Sequence, residues 1–177
     1  MQKEITAIDT GMVKTGNAGS QLIVNAIGSC VAIIAYDATA KIGGIAHVML
    51  PGRAPADSET IKTRYTCNAF EELLFLLKKN GADIHHLDFC IAGGGNVLQR
   101  IGDTICISNI TAVTACIHDA GYTIAAQSIG GTDRRKIRFD IERGIVFCTV
   151  GDNPESILYH YGKENPDGIL FTDDKLT

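Results

Sequence analysis

A chain of 177 residues, 45% hydrophobic and 20% charged with net charge -4, has room for one domain with a full core. It lacks the basic excess that draws nucleic acid or anionic membrane surfaces. The opening MQKEITAIDTG has no basic head followed by an apolar run, and no apolar stretch nears the ~20 residues of a membrane span. A cytoplasmic protein without membrane insertion is expected.

Glycines punctuate the chain at Gly16 and Gly19, Gly43-Gly44, Gly93 to Gly95 and Gly130-Gly131, and these read as turns. Apolar runs between them predict strands near Glu4–Ile8, Leu22–Ile27, Val31–Tyr36, Ile42–Leu50, Leu87–Ala92, Tyr122–Gln127, Lys136–Ile141 and Ile145–Val150. A helix is predicted over Ser58 to Asn80, with Ile61, Tyr65, Ala69, Leu73, Leu76 and Leu77 as its apolar stripe and Gly81 as its stop. A second runs from Ser108 or Asn109 to Asp119, with Ile110, Val113 and Ile117 inward. In RRKIRFDI the alternation puts Ile137, Phe139 and Ile141 on one face and Lys136, Arg138 and Asp140 on a solvated one. Pro154 to Tyr161 reads as a short third helix, and residues 163–177 as a mobile tail after a single domain over 1–162. Many strands with two main helices, and no regular βαβ alternation, predict an α/β (α+β) sandwich with a mixed, largely antiparallel sheet.

The stretch NAIGSCVAIIAYDATAKIGGIAHVMLPG holds the first chemistry. Read as a hairpin looping over Asp37 to Ala40, it pairs Tyr36 with Lys41 and, in the same register, Cys30 with His47. Opposed residues share a face, so a thiol meets an imidazole that can take its proton. Gly28-Ser29 before the cysteine allows a tight backbone that aims N–H groups at a developing oxyanion. The competing structural reading is a packed cysteine and a hydrogen-bonded bystander histidine.

Of the six cysteines, Cys90, Cys106, Cys116 and Cys148 lie in apolar surroundings and read as small core residues. No CxxC pair supports structural zinc, and His85-His86 with Cys90 lacks a further ligand cluster, so no metal and no cofactor are expected. Gly93-Gly94-Gly95 lacks the GK[ST] ending of a phosphate loop and reads as a turn bordering a cleft.

G-S-C-V at Gly28–Val31 followed by H-V-M-L-P at His47–Pro51 resembles the chemoreceptor glutamine deamidases, the CheD family of chemotaxis. Tyr65 sits where that family has K-Y-A-D, Ile91–Asn96 is similar to its I-A-G-G-A segment, Asn109 with Ala112-Val113 to its R-N-V-E-A-V start, and Gly130-Gly131 to its D-T-G-G turn. The resemblance implies a cysteine hydrolase fold like that of deamidating toxins, with Cys30 as nucleophile and His47 as base. It implies hydrolysis of glutamine side chains on chemoreceptor cytoplasmic helices, and a CheC-type phosphatase as a further partner. The family usually has a threonine six residues before the cysteine to orient the histidine; here that position is Val24, and Asn25 is the polar neighbour. Cys67 stands where an aspartate is usual and Ser108 where an arginine is. Two other readings stand beside this one: glutamyl methyl ester hydrolysis at the same sites, since thiolate attack on an ester is easier, or a catalytically weak adaptor for chemoreceptors or the phosphatase, which Val24 favours.

Overall fold

The computed structural model describes residues 4–163 and 171–172. Two sheets stack face to face. The five-stranded sheet has the order β1-β3-β8-β9-β10, from Glu4–Ala7 (β1), Ser20–Ile27 (β3), Arg135–Asp140 (β8), Ile145–Val150 (β9) and Ser156–His160 (β10). The six-stranded sheet has the order β11-β7-β6-β4-β5-β2, from Phe171–Thr172 (β11), Ile124–Ile129 (β7), Asp88–Gly93 (β6), Val31–Asp37 (β4), Ile42–Val48 (β5) and Val13–Asn17 (β2). The pairs β1–β3, β6–β7 and β7–β11 are parallel and the others antiparallel, which is the mixed, largely antiparallel arrangement that the apolar runs predict. Helices α1 (Thr66–Lys79) and α2 (Ile105–Asp119) cover the outer face of the six-stranded sheet.

β4 and β5 are buried along their whole length because both faces are covered. Ala32 and Ile34 point between the sheets with Leu22, Val24, Ile137 and Phe139, whereas Val31, Ile33 and Ala35 point at the helices with Leu73, Leu77, Val113 and Ile117. Strand alternation thus divides the chain's apolar residues into two cores. Among the described residues no helix is long and apolar enough to cross a membrane.

Several elements differ from expectation. Gly43, Gly44 and Gly16 are strand residues, not turns: Gly43 pairs with both Tyr36 and Gly16, and a Cβ on it would lie 2.4 Å from Phe139 Cε1. The absent side chain of Gly43 admits an aromatic ring in β5, while Gly16, read as a turn, masks β2 as a strand. Helix α1 starts at Thr66, eight residues after the predicted Ser58. The Arg64 carbonyl accepts the N–H groups of Met49 and Leu50, and Thr66 donates through N and Oγ1 to Leu50 O, so the chain at Tyr65 must be extended. Ile61, assigned to the buried stripe, is exposed.

The predicted third helix is the strand β10. Gly151–Asn153 turns the chain straight back on β9, with Asn153 N donating to Val150 O, so Ile157 and Tyr159 meet Phe147 and Val146 in a ladder. Asp140, assigned to a solvated face, is buried, where it accepts from Arg143 N. Of the predicted tail, Lys163 and strand β11 are described; the remainder lies outside the described residues.

Candidate active site

The β4–β5 register decides where the thiol and imidazole stand. His47 pairs with Ala32, and Asp37 with Ile42, so the ladder is displaced by two residues from the predicted Cys30–His47 pairing. The cause is the loop. The Asp37 carboxylate accepts from Thr39 N and Ala40 N, and Lys41 adopts a left-handed φ of 52°, which makes Ala38–Lys41 the connection. A two-residue displacement preserves the face. Cys30, two positions before Ala32, therefore stays on the same side as His47, one diagonal step away, and packs against the inter-sheet core.

His47 is 2% exposed. Neither sequence candidate for its orienting partner reaches it: Val24 is an apolar core residue paired with Ile137, and Asn25 lies at a bulge of β3, exposed. The partner is main chain. His47 Nδ1 lies 3.4 Å from the Ile8 carbonyl oxygen. With the Nδ1 proton donated there, Nε2 carries the free lone pair, and among the described residues Nε2 is buried without a hydrogen-bond partner.

Ile8 belongs to a strap, Ile8–Met12, that crosses from β1 in one sheet to β2 in the other. It holds the histidine's backbone as well. Gly11 N donates to His47 O at 2.8 Å, His47 N donates to Met12 O at 3.0 Å, and Thr63 Oγ1 fixes the strap by donating to Gly11 O at 2.6 Å. The hydroxyl of Thr10, on the same strap, acts on Cys30 in favour of its thiolate. One short segment thus holds the histidine and bears on the cysteine.

The cysteine is presented by a bend over Gly28–Cys30 whose carbonyls are all engaged. Gly95 N donates to Gly28 O at 2.8 Å, Gly94 N to Cys30 O at 2.7 Å, and Asn109 Nδ2 to Ser29 O at 2.9 Å. The second proton of Asn109 Nδ2 goes to Met49 O, also at 2.9 Å, so one buried amide ties the cysteine bend to the chain just after His47. Gly93 explains the glycine run. Its φ is +127°, and a Cβ there would sit 2.2 Å from Cys30 O. Of the three glycines expected at the cleft, Gly95 lines it; Gly93 and Gly94 are buried behind it.

The cleft has a volume of about 430 Å³ and is lined by Gly28, Ser29 and Cys30 on one side and by Val97, Leu98 and Arg100 on the other. Leu98 is 71% exposed at its mouth, and Ile101 on the same loop is fully so. Burial dominates both titrations. It pushes the Cys30 thiol up, against the opposing Thr10 hydroxyl and the residue's own backbone N–H. It pushes His47 down, against the Ile8 carbonyl and the charge of Asp9. Both shifts favour the neutral forms, thiol and imidazole.

The other nitrogen and sulfur groups weighed as ligands are spread apart. His86 Nδ1 pairs with Asp83 at the surface, while Cys90 lies in the inter-sheet core under the Tyr161 hydroxyl, its thiol pushed up to about 12 by burial. Among the described residues no group of three or more His, Cys, Asp or Glu is placed to hold a metal ion.

The two-sheet sandwich brings a buried histidine and a half-buried cysteine to one inner face. Comparison with known proteins gives the family. The family model described as CheD chemotactic sensory transduction matches residues 49–150. The chain is 42% identical over 161 residues to a probable chemoreceptor glutamine deamidase CheD of Chlorobium luteolum, covering 89% of this chain and 80% of that one. It is 35% identical over 123 residues to the chemoreceptor glutamine deamidase CheD of Thermotoga maritima, covering 70% and 77%. It is also 35% identical over 151 residues to a probable CheD deamidase of Methanococcus maripaludis, covering 82% and 97%. The chain belongs to the CheD family.

Sequence reasoning missed three parts of the site. The Ile8 carbonyl has no side-chain signature. Thr10 lies far from Cys30 along the chain, with only its hydroxyl as a signal. Asn109 entered as a family match, and the signal to read was a buried amide on the inward face of a predicted helix.

Proposed function

We propose that this protein is a glutamine deamidase acting on chemoreceptors, with Cys30 as nucleophile and His47 as general base. The observation that carries the reading is the state of His47: Nδ1 is held by a main-chain carbonyl, and Nε2 is buried and unpartnered on the sheet face that Cys30 shares. A substrate carboxamide entering the cleft takes up position beside the thiol. His47 Nε2 accepts the Cys30 proton as the sulfur attacks the carboxamide carbon. The Cys30 N–H, which lies by its own sulfur, is the first candidate donor to the oxyanion, and Ser29 N–H the second. The imidazolium returns its proton to the departing nitrogen, releasing ammonia and leaving a thioester. Water, deprotonated by the same Nε2, then cleaves the thioester to glutamate and restores the thiol.

The relatives are named for chemoreceptor glutamine, and the cleft suits a helix-borne side chain. The apolar rim of Val97, Leu98 and Met49 accepts the flank of an amphipathic helix while its glutamine reaches down to Cys30. Such helices lie in the cytoplasm, where this reading places the protein, and a CheC-type phosphatase is a further proposed partner. The feature that favoured a weak adaptor was Val24; the Ile8 carbonyl supplies the bond that Val24 lacks. The test is incubation with chemoreceptor cytoplasmic fragments, following glutamine-to-glutamate conversion by mass spectrometry with Cys30→Ala as control. Conversion by wild type alone supports the reading. Tight binding with no conversion overturns it.

A further inference from the structure

Outside the cleft, a pair of thiols has no part in the deamidation chemistry. Cys67 Sγ and Cys116 Sγ lie 3.6 Å apart, 49 residues distant in the chain. Cys67 is in the first turn of α1 and Cys116 in the last turn of α2, so the sulfurs face each other across the seam between the helices. Both are half-buried, open to a small reagent, whereas Cys90, Cys106 and Cys148 are buried. Cys116, expected as a core residue, is thus a seam residue.

We propose that Cys67 and Cys116 are a dithiol modification site, oxidised by hydrogen peroxide to an intramolecular disulfide that staples α1 to α2. The sulfurs already touch, and small side-chain rotations bring them to the ~2.05 Å of a bond. The Cys116 thiol is pushed up to about 12 by burial and then by the neighbouring thiol, and Cys67 is the residue oxidised first. Its sulfur attacks one peroxide oxygen, the O–O bond breaks, and the departing oxygen leaves as water with the thiol proton, giving a sulfenic acid. Cys116 sulfur then attacks Cys67 sulfur, the S–O bond breaks, and a second water leaves with the Cys116 proton. Two thiols and one peroxide become one disulfide and two waters.

The staple joins elements that frame the cleft without using Cys30. Thr66 and Cys67 bond to Leu50 O and Gly52 O in the chain following His47, and α2 carries Asn109. The site is independent of the deamidase reading.

Its test uses the full chain carrying Cys30→Ala, which removes the competing nucleophile, treated with a few equivalents of peroxide and mapped without reduction. The expected result is a joined Cys67–Cys116 peptide, loss of two hydrogens from the intact mass, and a Tm raised by roughly 5–15 °C that dithiothreitol reverses. Adding Cys116→Ser should abolish the rise and leave a sulfenic acid on Cys67 that dimedone traps; the reduced Tm of this variant checks its folding. Peroxide consumed while both thiols remain alkylatable overturns the proposal, as do cross-links formed only between molecules.

Discussion

The surroundings of two half-buried thiols, Cys30 and Cys67, differ in how firmly the neighbouring group is held. Cys30 shares a sheet face with an imidazole whose ring and backbone are both fixed by main-chain bonds from the Ile8–Met12 strap. Cys67 meets another thiol across a seam between two helices, with only side-chain rotation between contact and bond. A nucleophile that must act on a bound substrate needs its proton acceptor immobile, since small misplacements are costly. A dithiol needs only nearness. The rigid interior of a β-sandwich supplies the first and a helix seam the second.

Removing the sulfur should separate the two most sharply. Cys30→Ser is expected to lower turnover of receptor fragments by at least ~10⁴-fold while leaving Cys67–Cys116 oxidation unchanged; mass spectrometry of substrate and enzyme reads both. His47→Gln comes next, at roughly 10³-fold. It also carries a pH signature. The folded pKa of His47 lies below its ordinary value, chiefly through burial, so the unfolded chain binds the proton more readily. The stability contributed by neutral, buried His47 is therefore fully present above ~6.5 and declines as pH falls through that value. Melting curves between pH 7.5 and roughly 5 should show this slope in wild type and a shallower one in His47→Gln.

Asn109→Ala should cost about 2 kcal/mol of stability and roughly 10–100-fold in kcat, because two carbonyls flanking the site lose their shared donor. Equal activity with lowered Tm would reduce Asn109 to a structural tie. The mildest expected change is Thr10→Val, at roughly 3–10-fold, with the alkylation midpoint of Cys30 moving to higher pH as the hydroxyl is lost. Thr10→Ser should restore that midpoint, and Cys67 alkylation should follow the same profile in all three proteins.

Much of the fold is legible in the chain, for local reasons. β4 and β5 announce themselves as continuous apolar runs, and Ile137 and Phe139 alternate cleanly into the inter-sheet core. The failures are equally local. Gly16 hides β2 because a glycine in a strand looks like a turn until Ser20 and Ile141 are seen closing on it. Ser156–His160 looks helical in isolation and becomes a strand because β9 offers it an open edge. The start of α1 is displaced because Leu50 claims the backbone of Arg64 and Thr66.

For the site, the chain alone determined that Cys30 and His47 share a face, since parity along two paired strands survives a displacement of two residues. It determined, through G-S-C-V and H-V-M-L-P, which cysteine and histidine to consider. Only the tertiary structure decided the register, which rests on how the Asp37 carboxylate and Lys41 close the loop. Only the tertiary structure, too, replaced the missing threonine with the carbonyl of Ile8. Every residue has a carbonyl, so no residue pattern marks the one that folding brings to His47.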